Sequence, residues 1–483
     1  GVVYYARKKA KATQDHEVIT EDFKRFQRSY VVIFMMLTAA DWLQGPYLYA
    51  LYDSYGHSKQ SIGHLFILGF GTAAVCSTFV GSLADKYGRK RLCQAYCLLM
   101  ILSLMTKHSS SWGILAVGRV LGGAATSILF SSFESWMVHQ HLQLSYPDHW
   151  MRRTFEVVVS GTGITAMTSG LVATFFTSHF GRVAPFDLAI ALAALGLLLL
   201  SRAWPENYGD AGISVIQTLE NSYHSIRGDP VIMLLGISQA LYEAGMYTFV
   251  IMWTPALDST SALPVSHGWV FSTFMLCIIL GGTLYKQYLA YGGSVEKLML
   301  FTCGIGAVSL AIPVVINEHS LLLLSFFVFE TSVGVFWPSA SSLRSMYFPE
   351  DTRASVMATL RVPQNILIMC VLSVIGRLEN WMVFSIAFVF MTCAAVAQWY
   401  FIKITTGETD VIEELGIVDE NITEGKPSAA AGSASKKAML LNNSSSVAGA
   451  DLELASMGGE RLSTTSHTGA LGSLVATSET AAG

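Results

Sequence analysis

The chain has 483 residues, 52% of them hydrophobic and only 13% charged, against about 25% charged in an average soluble protein. Of its charged residues, 37 are spread over the 374 positions from 29 to 402, too few to coat a soluble fold of that size. A net charge of −4 leaves no basic surplus, so nucleic acid is excluded as a partner.

A helix needs about 20 mostly apolar residues to cross the hydrocarbon core. Twelve such windows follow one another: 29–51, 62–81, 92–106, 112–135, 154–176, 184–202, 231–253, 267–288, 295–316, 320–338, 354–375 and 381–402. All seven cysteines (Cys76, Cys93, Cys97, Cys277, Cys303, Cys370 and Cys393) fall in these segments without a CxxC pair. They read as small membrane residues, with neither a disulfide framework nor a metal site.

Residues 1–28 form a cytosolic segment whose opening Gly-Val-Val-Tyr-Tyr runs into a basic cluster. It reads either as the inner end of a further upstream helix or as an ordinary basic tail. In the short loops, twelve Lys and Arg fall on the side of this segment and four, Lys59, Lys107, Arg182 and Arg377, on the other. That asymmetry puts both termini in the cytosol.

After the second window comes Gly81-Ser-Leu-Ala-Asp85-Lys-Tyr-Gly88-Arg89-Lys90-Arg91. Its glycines permit a tight turn and its basic cluster pins the loop inside. The sequence resembles the signature loop of the major facilitator superfamily, which makes Asp85 and Arg89 gating charges. The matching stretch of the second half, Gly281 to Gln287, keeps the glycines but lacks the Asp and the Gly-Arg.

Residues 203–230 make a polar linker, with Ile213, Ile216, Leu219, Tyr223 and Ile226 at helical spacing. This predicts an amphipathic helix on the cytosolic side, or else a floppy linker, dividing a six-helix half at 29–202 from another at 231–402. Arg153-Thr154 and Arg353-Ala354 stand 200 residues apart, and Asp41 and Glu243 stand 202 apart, as in a transporter built from an internal repeat. Residues 403–483, rich in Ser, Ala, Gly and Thr, read as a disordered cytosolic tail. Its glycosylation patterns at Asn421 and Asn442 would stay unmodified there.

Four further stretches are Ala40-Asp-Trp-Leu-Gln-Gly-Pro-Tyr47, Phe130-Ser-Ser-Phe-Glu-Ser-Trp136, Gln239-Ala-Leu-Tyr-Glu243 with Met252-Trp-Thr-Pro-Ala256, and Arg361-Val-Pro-Gln-Asn365. Together they resemble the molybdate-anion transporter family. The resemblance implies an all-α membrane protein of twelve transmembrane helices in two six-helix pseudo-repeats. It further implies a carrier of molybdate, not an enzyme, with no cofactor.

Charges inside the bilayer are costly and usually functional. At about 1.5 Å of rise per residue, Asp41, Glu243, Glu330 and Arg361 fall near mid-membrane, and Arg119 lies about 10 Å from the outer end of its span. Asp41, Glu243 and Glu330 are candidate proton carriers, or else structural partners of Arg119 or Arg361. Arg361 and Arg119 suit an oxyanion through their planar donors, or close internal salt bridges. Gln44, Tyr47, Asn365 and Trp42 are candidate neutral donors, or packing residues near Pro46 and Pro363. Glu134, Arg153 and Arg353, near cytosolic helix ends, join Asp85 and Arg89 as gating candidates. His57 and His64 read as polar residues of the outer face or else as a pH-sensing pair, and Gly118 and Gly122 as close helix contacts.

The expected function is secondary active transport of a small oxyanion, most simply molybdate, by alternating access with proton symport. The protein would act as a monomer in the lipid bilayer of the cell membrane. Alternatives are a proton-coupled carrier of a sugar or other organic solute, and a non-transporting sensor or scaffold acting through its tail.

Overall fold

The computed structural model describes residues 19–129, 131–209, 226–262, 264–348 and 353–414. The expected upstream helix, most of the expected linker helix and the tail beyond Glu414 lie outside the described residues, as do the side chains of Arg353 and Arg361.

Each expected window falls on a helix or a broken pair of helices. The first is α1 (Glu21–Gln44) and α2 (Leu48–Ser54), interrupted at Gly45-Pro46-Tyr47, where Pro46 has no N–H to continue the ladder. Next come α3 (Lys59–Tyr87) and α4 (Arg89–Met105). The fourth window falls on α5 (Trp112–Leu129) and α6 (Ser132–Gln143), on either side of Phe130, which lies outside the described residues. The first half ends with α7 (Asp148–Phe180) and α8 (Ala184–Ala203). The second half is α9 (Pro230–Thr260), α10 (His267–Ala290), α11 (Val295–Val315), α12 (His319–Tyr347), α13 (Arg353–Val374) and α14 (Asn380–Glu414). The last helix continues past the expected end of its span at 402.

The packing repeats. In the first half, α1 packs on α7 and α8, α3 on α5, and α4 on α5 and α8. In the second half, the equivalent contacts are α9 on α13 and α14, α10 on α12, and α11 on α12 and α14. Two seams, α3 with α13 and α7 with α10, join the halves.

Glycine sets the closest approaches. A Cβ on Gly118 would lie 1.9 Å from Thr106 Oγ1, and one on Gly123 would lie 2.3 Å from Gly69 O. The α4–α5 and α3–α5 crossings therefore require glycine at these positions. Ser103 Oγ donates to Gly118 O at 2.7 Å across the first of them. Large apolar residues such as Val75, Phe79, Leu98, Leu102 and Phe301 are exposed on the outside of the bundle, as a lipid-facing surface requires.

Candidate transport site

The halves meet closely at the end of the bundle where α3 begins and α13 ends. Lys59 Nζ donates to Leu378 O at 3.1 Å and to Asn380 Oδ1 at 3.0 Å. Gln60 Nε2 donates to Ser373 O at 2.8 Å, and its Oε1 accepts from Gly376 N at 2.8 Å. The first turn of α3 thus satisfies backbone groups that the end of α13 leaves over. At the other seam, a Cβ on Gly268 would lie 2.3 Å from Gly170 O. Beside it, Tyr47 donates to Thr174 Oγ1 at 3.1 Å and sets its ring 6.0 Å from that of His267. His267 in turn contacts Asp258 Oδ1 at 2.9 Å. Deeper, Trp42 faces Phe271 at 5.7 Å and Phe70 faces Tyr247 at 5.2 Å, each pair crossing between the halves.

Below this closure lie the polar residues. Asp41 is fully buried on α1 and Gln44 nearly so, its amide 3.7 Å from Met100 Sδ. Glu243 on α9 accepts a hydrogen bond from Gln364 Nε2 of α13 at 2.7 Å, with Asn365 half-buried beside it. Glu330 is buried on α12 inside the second half. Arg119 is buried on α5; its Nε donates to Leu65 O at 3.4 Å and its guanidinium lies 5.0 Å from the Phe66 ring. These candidates come from α1, α5, α9, α12 and α13, and the bond between Glu243 and Gln364 directly joins two of those helices.

At the opposite end of the bundle the signature loop is tied down. Arg89 Nη2 bonds Asp85 Oδ1 at 2.7 Å, its Nε bonds the same oxygen at 3.2 Å, and its Nη1 reaches Ser135 O at 3.4 Å. Glu206, just after α8, accepts from the backbone N–H of Lys90 at 2.8 Å and of Arg91 at 3.2 Å. A carboxylate thereby caps the positive end of α4 from a distant part of the chain. Gly88 makes this possible: its φ is +105° and a Cβ there would lie 2.6 Å from Glu206 Cδ. Asn207 N–H···O geometry closes the knot, Asn207 Nδ2 donating to Trp136 O at 3.1 Å and Trp136 Nε1 to Pro205 O at 2.9 Å. The Trp136 and Trp204 rings stack at 3.8 Å. Of the remaining gating candidates, Glu134 is half-buried on α6 and Arg153 is exposed on α7.

Gln364, Glu206, Lys107 and Tyr52 were not among the sequence candidates. Gln364 lies one turn after Arg361, a helical spacing that could have brought it in. Lys107 read only as an outer-loop charge, yet it is 1% exposed and donates to Tyr52 Oη at 2.7 Å.

Two helical halves with matching contacts, drawn together at one end and lined with buried polar groups, define a membrane transporter of the major facilitator type. The solved structures that share this fold include the nucleoside transporter NupG (TM-score 0.64, 14% identity, 78% of this chain and 98% of that one) and a D-xylose-proton symporter (0.62, 13%, 78% and 97%). At these identities they speak for the fold alone. A family model described as sugar transporters with twelve transmembrane helices matches residues 2–326. The molybdate-anion transporter of Xenopus tropicalis is 32% identical over 366 residues, covering 74% of this chain and 80% of the relative. That of Danio rerio is 32% identical over 391 residues, again with 74% and 80% covered. The chain is a multi-pass membrane protein and belongs to the molybdate-anion transporter family of the major facilitator superfamily.

Proposed function

We propose that the protein carries molybdate across the membrane by alternating access. The observation that carries this reading is the 32% identity to molybdate-anion transporters over most of both chains. Buried cationic donors at Arg119 and Lys107 support an anionic substrate. Arg361 and Arg119, with Gln44, Tyr47, Asn365 and Trp42, are the proposed binding groups. The contacts at the outer end correspond to a state closed on that side, with Asp85, Arg89, Glu134, Arg153 and Arg353 as inner gating residues.

Proton symport completes the reading. Each charge crossing 100 mV is worth about 2.3 kcal/mol, so a dianion entering a negative interior costs roughly 4.6 kcal/mol before any concentration gradient. Two protons cancel that charge, and Asp41, Glu243 and Glu330 are the proposed carriers. The protein works as a monomer in the lipid bilayer of the cell membrane with its tail in the cytosol, its halves divided by the 203–230 linker.

The family description as sugar transporters favours a second reading, a neutral hydroxylated substrate. Labelled-molybdate uptake into vesicles holding the purified protein separates the two. Competition by tungstate or sulfate without effect of neutral sugars supports the anion; competition by a sugar and no molybdate uptake supports the alternative.

A further inference from the structure

Trp337 lies on α12, directly before Pro338. It is 2% exposed, and its indole Nε1 has no hydrogen-bond partner among the described residues. A buried N–H that gives up water without gaining an acceptor is costly, so such a group calls for a reason. Packing supplies one at the signature-loop end of the bundle: Trp204 Nε1 is also without an acceptor, but its ring is held in the stack with Trp136 and against the edge of Phe133. Trp337 has no such stack; among the described residues its ring meets only that of Phe336, at 5.2 Å and edge-on.

The neighbours of α12 fix the side on which the indole stands. Leu321, Leu324 and Val328 are exposed, as lipid-facing residues are. Val328 precedes Trp337 by nine residues, about two and a half turns, so the two stand on opposite sides of the helix. The flanking sides are taken by helices of the same half: Gly334 packs on the α10 backbone at Ile278, and Phe336 stacks on Tyr242 of α9 at 4.0 Å. Trp337 is left the side turned to the interior of the bundle, shared with Glu330 about two turns earlier. The same stack sets its depth. Tyr242 adjoins Glu243 in the chain and Phe336 adjoins Trp337, so Trp337 stands at the level of Glu243 and the hydrogen bond that Glu243 accepts from Gln364.

Indole is a donor only, and it is neutral at any working pH. A sugar hydroxyl both donates and accepts, whereas a tetrahedral oxyanion offers acceptors alone, and an N–H given to an anion makes a stronger bond than one given to a neutral oxygen. We propose that Trp337 Nε1 is an oxyanion-binding donor contributed by the second half at the level of Glu243. The proposal rests on the oxyanion reading and adds to the binding groups a residue that the sequence did not single out. Trp42 is its counterpart in the first half: it is 3% exposed, its Nε1 likewise has no partner among the described residues, and its ring faces Phe271 of the other half. Each half thus holds one buried indole whose donor is left for a ligand.

The test uses the full-length protein, both in vesicles and in detergent, with molybdate as the probe. Trp337→Phe keeps an aromatic ring and removes the N–H. In vesicles it is expected to raise the KM for molybdate about tenfold, with the maximal rate within about twofold of wild type. In detergent, the rise in Tm that molybdate gives the wild type should shrink in Trp337→Phe at the same concentration, each protein being compared with its own ligand-free Tm. A packing role moves only the ligand-free value. A KM within about twofold of wild type, together with an undiminished molybdate-induced rise in Tm, would overturn the assignment. If Trp337→Phe gives too little protein, Trp337→Met, which fills the space without a donor, decides by the same two measurements: a raised KM and a smaller rise support the donor, and wild-type values overturn it. Failure of the oxyanion reading shows in the wild type instead. Wild-type protein that neither takes up molybdate nor gains Tm from it contradicts that reading and removes the ligand of Trp337 with it, whereas a wild type that responds and a Trp337→Phe that responds equally contradict the Trp337 assignment alone.

Discussion

Gln364 Nε2 donates to Glu243 Oε2 at 2.7 Å, linking α13 to α9 where Glu243 is only 7% exposed. A buried carboxylate that loses such a donor costs about 1–3 kcal/mol. Gln364→Leu is therefore expected to lower Tm by several degrees and to reduce uptake. Glu243→Gln should retain an amide-to-amide bond and fold normally, yet lose the response of uptake to an inward proton gradient. A Glu243→Gln protein that still responds fully to the gradient would remove Glu243 from the proton carriers.

The Glu206 cap makes a separate prediction at the signature loop. Replacing it with Ala takes the acceptor away from the N–H groups of Lys90 and Arg91, which costs roughly 1 kcal/mol in a typical cap. The same change frees the signature loop from the segment after α8. Greater protease cleavage near residues 86–91 is expected, and Glu206→Gln, which keeps an acceptor oxygen, should restore most of the protection. Equal cleavage in wild type and Glu206→Ala would show that the strap does not hold the loop.

Outer closure can be weakened without touching a charge. A side chain at Gly376 would collide with Gln60, whose Cβ would lie 2.2 Å from the added carbon. Gly376→Val should separate α3 from α13 and increase labelling of a cysteine introduced at Ser61 by an impermeant thiol reagent applied from outside. Unchanged labelling in the Gly376→Val protein would show that this seam does not seal the outer entrance.

Arg361 yields a graded expectation drawn from the sequence. Lysine preserves charge but loses the planar fork, so Arg361→Lys should weaken apparent affinity while Arg361→Ala abolishes uptake, both at normal membrane abundance. If Arg361 serves instead to neutralise an acid, adding Glu243→Gln or Glu330→Gln to Arg361→Ala should restore uptake. Such rescue would rule out Arg361 as the anion ligand.

The helices were legible because hydropathy and helix length express the same physical demand, but the break at Pro46 lay unread inside the 29–51 window, since Pro255, Pro313, Pro338 and Pro363 sit within unbroken helices. Asp41, Arg119 and Glu243 stood out as charges in apolar runs, and all three are buried. The partners of such residues were harder to read. Gln60 and Gly376 are 316 positions apart and meet only because α3 crosses α13, and Glu206 is 116 positions from the Lys90 N–H it caps. Lys107 was misplaced for a related reason: its position just past an apolar run reads as loop, while tertiary packing over Tyr52 takes it out of water.

Counterflow tests the central claim most directly. Vesicles containing the purified protein are loaded with unlabelled molybdate and diluted into a trace of labelled molybdate, with no proton or voltage gradient. Alternating access through one oxyanion site predicts a transient accumulation of label above its equilibrium level, absent from vesicles loaded with a neutral sugar. Monotonic entry of label to equilibrium, the same whatever anion or sugar is loaded, would contradict it.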